Sequence, residues 1–115
     1  MLNVENIFAG ISNALGGEQL LTLFENQAMK IERIVSQSYH SPEHFWYDQS
    51  EPEWVIILRG EATMEFEGGS FVEMKEGDHL IIPRHVKHRV HRTGPQTIWL
   101  AAHVAHADSG KREQI

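Results

Sequence analysis

The stretch Gly77-Asp78-His79-Leu80-Ile81-Ile82-Pro83-Arg84-His85-Val86-Lys87-His88 decides the fold. Lys75-Glu76-Gly77-Asp78 reads as a tight turn and His79 to Ile82 as a short strand. Pro83 ends that strand by withholding a backbone donor. Val86 to Arg92 then reads as the next strand. Upstream, Ala62, Met64 and Phe66 alternate with Glu61, Thr63, Glu65 and Glu67, the period of a strand with one wet face. Gly68-Gly69 supplies a hairpin turn, and Phe71 to Met74 returns. Downstream, Thr93-Gly94-Pro95-Gln96 is another turn and Thr97 to Val104 a last strand. Short strands with glycine-containing turns at such intervals indicate a sandwich or barrel.

The N-terminal quarter reads differently. Ile7, Ile11, Leu15, Leu20, Leu21, Leu23 and Phe24 recur at helical spacing, broken at Gly16-Gly17. The pattern predicts a helical lead-in over residues 1–28, a barrel over 29–104 and a polar tail over 105–115. A chain of 115 residues suffices for one such domain. It has no cysteine, which excludes disulfides, thiolate metal sites and thiol nucleophiles. The segment Met1 to Asn6 lacks a signal peptide's basic and apolar regions. The longest apolar run, Trp54 to Leu58, is far short of the ~20 residues that span a membrane. The expectation is a soluble, cytoplasmic protein with no membrane contact.

A formal net charge of −6 argues against nucleic acid as a partner. Arg84, Lys87, Arg89 and Arg92 cluster, but on a strand they alternate between faces and make no stripe. Histidine, present eight times, is the more informative residue.

Two spacings carry a family resemblance. Glu53 precedes Gly60 by six intervening residues, and Gly77, Pro83 and His88 follow with intervals of five and four. This order resembles the two signature motifs of the cupin superfamily, in particular its small single-domain bacterial members. The first motif reads His-x-His, three or four residues, Glu, six residues, Gly. The second reads Gly, five residues, Pro-x-Gly, two residues, His. His85 stands where the second motif has its second glycine, and Arg92 where it has a closing asparagine. Both histidines of the first motif are missing. With the four-residue interval their places fall on Trp46 and Asp48, with the three-residue interval on Tyr47 and Gln49. The resemblance implies an all-β jelly-roll barrel, a divalent metal ion in many members, and a homodimer that hides an edge strand.

A divalent ion needs three or four converging donors. Asp48, Glu53 and His88 offer two carboxylates and one imidazole, suited to Zn, Mn, Fe or Ni. His85, His88 and His103 form an alternative, histidine-only set. Tyr47 and His85 are candidates to handle protons. Trp46, Gln49, Arg92, Trp99 and His103 are candidates to line a substrate pocket, with Arg92 able to clamp a carboxylate. His40, His44, His79, His91 and His106 have no spacing argument. The expectation is a metal-binding cupin acting on a small organic molecule by isomerase, dioxygenase or decarboxylase chemistry. The rival expectation is a barrel that binds or senses a small ligand without metal.

Overall fold

A computed structural model describes residues 2–13 and 16–105. Eight strands follow in order: β1 (Glu18–Glu25), β2 (Met29–Ser36), β3 (Glu53–Arg59), β4 (Glu61–Phe66), β5 (Ser70–Lys75), β6 (His79–Ile82), β7 (His88–Thr93) and β8 (Thr97–Val104). They form a five-stranded sheet in the order β1-β2-β8-β3-β6 and a three-stranded sheet in the order β5-β4-β7. All pairings are antiparallel. The two sheets face each other as a jelly roll. Val55, Ile57, Met64, Met74, Ile82, Val90 and Trp99 fill the space between them. Each strand delivers alternate residues to that space, as the period of two requires.

The helical lead-in is not borne out. Among the described residues there is no helix, and none therefore long and apolar enough to cross a membrane. Residues 18–25 form β1, which pairs with β2 from Glu18 opposite Ser36 to Glu25 opposite Lys30. The decisive signal is Asn26. Its Oδ1 accepts from the backbone N–H of Ala28 at 2.8 Å and of Met29 at 2.9 Å, which closes the hairpin. Leucines at consecutive positions fit a helix equally well, and pairing with the open side of β2 decides between them. β1 remains a sheet edge, with Leu20, Leu21, Leu23 and Phe24 exposed. Leu15 of the helical pattern and the tail from His106 lie outside the described residues.

The segment before β1 is fastened to the outer face of the five-stranded sheet. Arg33 donates to the carbonyls of Ile7 and Ala9, at 3.1 and 2.6 Å. The Arg59 guanidinium lies 4.2 Å from the Phe8 ring centroid. Val35 and Ile98, opposite one another on this face, are fully buried.

Gly60 and Gly77, the two glycines of the sequence motifs, both hold positive φ, 92° and 89°. Their surroundings differ. A Cβ on Gly60 would stand 2.5 Å from the Gln96 carbonyl oxygen and 2.9 Å from Thr97 Cα, whereas Gly77 has nothing within 4 Å. Gly60→Ala therefore adds a backbone clash to the conformational cost, and Gly77→Ala adds only the latter. We expect losses of roughly 3 kcal/mol for Gly60→Ala and about 1 kcal/mol for Gly77→Ala in urea unfolding. Equal losses would show that φ alone sets the requirement.

Candidate functional site

The site is placed by a single bridge. Tyr47 N–H donates to the His88 carbonyl at 2.7 Å, and His88 N–H donates to the Tyr47 carbonyl at 3.1 Å. The Gln49 carbonyl then accepts from His85 N–H at 2.8 Å. The segment before β3 thus runs as a short extended strand beside β7. Tyr47 and His88 face one another and point into the barrel, and alternation brings Gln49 in with them. Of the two first-motif intervals the molecule uses the three-residue one.

The inward residues meet at a cavity enclosing about 570 Å³, counting its open mouth. Glu53 from β3, His88 from β7, Trp99 and His103 from β8, Tyr47 and Gln49 line it, as do Glu18 from β1 and Glu32 from β2. Leu20, Ile34, Val55, Met64, Ile82 and Val90 complete the walls. Tyr47, Gln49, Glu53, His88, Trp99 and His103 are thereby brought together. Asp48, His85, Trp46 and Arg92 are not among the lining residues. Asp48 points away and binds Nδ1 of His85 at 2.8 Å, both side chains well exposed. Trp46 lies on that same outer side, its ring centroid 6.0 Å from the Arg89 guanidinium. Arg92 pairs with Glu61 at 3.1 Å on the surface. Neither the Asp48–Glu53–His88 set nor the His85–His88–His103 set converges.

Glu18 and Glu32 are the cavity residues that sequence reasoning missed. Lys30, Glu32, Ile34 and Ser36 share one face of β2, so a buried glutamate was available to the alternation argument. Glu18 was hidden by the helical reading of its segment.

Glu32 Oε1 lies 2.9 Å from Nε2 of His103, and its Oε2 lies 3.8 Å from the Lys30 ammonium. Glu53 is in a different position. Its side chain is only 10% exposed, and it makes no hydrogen bond to any described residue. Its Oε1 faces Nε2 of His88 and its Oε2 faces Nε2 of His103, each at 3.9 Å, too far for a hydrogen bond. His88 holds Nδ1 2.9 Å from the Val86 carbonyl. A carbonyl only accepts, so Nδ1 carries the proton and Nε2 presents a lone pair to the cavity.

Burial drives the titration of this cluster. It pushes Glu18 up to about 7, with the Glu32 and Glu53 carboxylates adding to the effect. It also raises Glu53, against the opposing pull of His103 and with the help of Glu32. It lowers His88, partly offset by the Val86 carbonyl. The Tyr47 phenol is raised by burial, then by Glu18 and Tyr39.

These facts bear on the divalent ion that the resemblance implies. Tyr47 and Gln49 stand at the two missing histidine positions. A phenol whose ionisation is suppressed and a neutral amide are weak substitutes for imidazole. Nε2 of His103 is engaged by Glu32. Among the described residues Glu18, Glu53 and Nε2 of His88 remain, and they do not converge on one centre. Among the described residues no group of three or more His, Asp or Glu is placed to hold an ion. The residues present do not fit a three- or four-ligand metal site.

Glu18 yields a pH prediction. An acid whose folded-state value is raised stabilises the fold most below its unfolded value near 4.5, and that contribution is lost as pH rises through about 7. Glu18→Gln cannot ionise. We expect it to leave stability at pH 4.5 nearly unchanged and to add on the order of 1 kcal/mol at pH 8, after allowance for partial exposure. That corresponds to a few degrees in thermal melts at the two pH values. Equal effects at both would show that Glu18 is not strained in the fold.

Comparison with known proteins agrees with this architecture. The chain matches the Cupin domain family over residues 31–103. No curated protein matches it in sequence. Among solved structures, a protein of Ralstonia eutropha JMP134, provisionally named a mannose-6-phosphate isomerase, is 38% identical. That alignment covers 91% of this chain and 100% of the other, with a TM-score of 0.85. A cupin superfamily protein of Desulfitobacterium hafniense DCB-2 is 15% identical over 84% of each chain, TM-score 0.72. An RmlC-like cupin of Methanocaldococcus jannaschii, with a double-stranded β-helix fold, is 17% identical over 92% of this chain and 94% of its own, TM-score 0.67. At such identities the last two show the fold alone. With motif, sheet order and family match in agreement, this chain belongs to the cupin family.

Proposed function

We propose that the barrel cavity binds a small organic molecule and that Glu53 and His88 exchange a proton with it, without a resident metal. The observation that carries this reading is the buried pair itself: a carboxylate with no hydrogen bond and an imidazole lone pair, 3.9 Å apart, in a cavity with apolar walls. Such pairs are costly unless used, and perturbed acids and bases gather at functional sites. Burial raises Glu53 and lowers His88, which brings a carboxyl and an imidazole toward each other in proton affinity. A base of this kind suits proton transfer between neighbouring carbons, the isomerase type of chemistry. The provisional name of the Ralstonia protein supports that reaction type.

A second reading, binding without turnover, is favoured by Tyr47 and Gln49 in place of two imidazoles. Wash-in of deuterium from D2O into a panel of carbonyl compounds and sugars, followed by mass spectrometry, separates the two. We expect wash-in for at least one class, reduced about 100-fold or more in Glu53→Gln. Binding that persists with no wash-in would leave the second reading. Elemental analysis of untagged protein is the companion measurement. We expect well under one ion per chain, and a stoichiometric ion lost in His88→Ala and Glu53→Ala would overturn the metal-free reading.

A further inference from the structure

The cavity is selective in charge as well as in shape. Among the described residues three carboxylates line it, and no lysine or arginine does. Glu32 has its own partners in His103 and Lys30. Among the described residues no lysine or arginine pairs with Glu18 or Glu53. The neighbouring cations are committed elsewhere: Arg89 to Glu65 and the Ser41 carbonyl, Arg92 to Glu61, and Arg33 to the N-terminal carbonyls. The His88 imidazole, tied through Nδ1 to Val86, offers an acceptor and no donor.

Oε1 of Glu53 and Nε2 of His88 are therefore two acceptors that open onto the cavity, 3.9 Å apart, with no protein donor between them among the described residues. An occupant that displaces solvent from them loses free energy unless it satisfies both. The occupant that satisfies both must offer two hydrogens from one atom. A nitrogen placed about 2.9 Å from each acceptor would see them at an angle of about 85°, so each N–H bends only modestly from linearity. A hydroxyl has one hydrogen to give. A metal ion would need a third protein donor. A carboxylate or phosphate would meet two acceptors and unbalanced negative charge in a medium of low dielectric. The aromatic faces of Tyr47 and Trp99, also in the walls, tolerate a cation.

We propose that the cavity takes a small molecule carrying a primary ammonium group, whose nitrogen donates to Glu53 and to Nε2 of His88. The inference rests on the small-molecule site proposed above and assigns its ligand class. The alkyl part lies along Val55, Met64 and Ile82. A phosphorylated sugar is excluded from the same place by charge.

The test is a charge series on one alkyl chain, using n-butylamine, butan-1-ol and butyrate. Each is titrated into chelator-treated, full-length protein at neutral pH and low salt, with histidine side-chain NMR as the readout. We expect the ammonium to bind about tenfold or more tighter than the alcohol, and butyrate more weakly than either. Glu53→Gln should erase the preference for the ammonium while the alcohol still binds. Glu61→Gln, on the surface, should change nothing. If the alcohol shifts His88 and His103 but the ammonium binds no better, the charge inference fails and the small-molecule reading stands. If butyrate or mannose-6-phosphate binds best, the inference is overturned in favour of an anion site. If none of the probes moves either histidine, both readings fall.

Discussion

Two backbone hydrogen bonds between Tyr47 and His88 decide what this barrel encloses. A strand segment presents alternate residues, so pairing at one position fixes the direction of every side chain in the segment. With Tyr47 opposite His88, Gln49 faces the cavity, while Trp46 and Asp48 face outward. A slip of one residue would put Asp48 inside, beside Glu53 and His88. That alternative would assemble a two-carboxylate, one-imidazole set of the kind the sequence allows. The difference between a converging two-carboxylate, one-imidazole set and the lining as it stands therefore rests on register, a property of backbone pairing and not of composition.

Much of the fold was legible because its signals are local. Gly68-Gly69, the glycine at 77 and Pro83 each mark a turn or a strand end through their own backbone chemistry. The strand read over His79 to Ile82 and that over Thr97 to Val104 coincide with β6 and β8. β1 was not legible, since Leu20, Leu21, Leu23 and Phe24 satisfy either period and only pairing with β2 selects the strand. His85 shows how a departure from a motif can preserve its geometry. It occupies the motif's glycine position and adopts φ of 63°, the left-handed conformation for which glycine is usually kept. Its imidazole is then directed outward to Asp48, whereas the sequence allowed an inward histidine. The candidate site was half legible for the same reason. Glu53 and His88 follow from motif spacing, but Glu18 and Glu32 reach the cavity from strands that lie outside both motifs.

The chemistry of the cavity follows from what is left unsatisfied. Most buried polar groups in the barrel are matched: Trp99 Nε1 donates to Ser36 Oγ, Thr97 Oγ1 donates to the Glu61 carbonyl, and His103 meets Glu32. Against that background the Glu53 carboxylate, which opens onto the cavity with no hydrogen bond among the described residues, stands out beside the sealed and unmatched Nε atoms of Arg33 and Arg89. Sequences tend to break their own rules of polar satisfaction where function needs it. Packing does not explain the exception either, since a leucine at position 53 would fill the site without a buried charge.

The Ralstonia protein shares 38% of its residues with this chain, and the shared part includes the scaffold. Scaffold similarity does not carry a substrate with it. A phosphate dianion needs cationic or N–H donors around it, and among the described residues Arg33, Arg89 and Arg92 are engaged by backbone carbonyls and by Glu65 and Glu61. Moving one inward would require both a new register and a new partner for the glutamate left behind. The negative lining is therefore built into the pairing of the strands. Under the ligand class proposed above, it weighs more than resemblance to a named enzyme does.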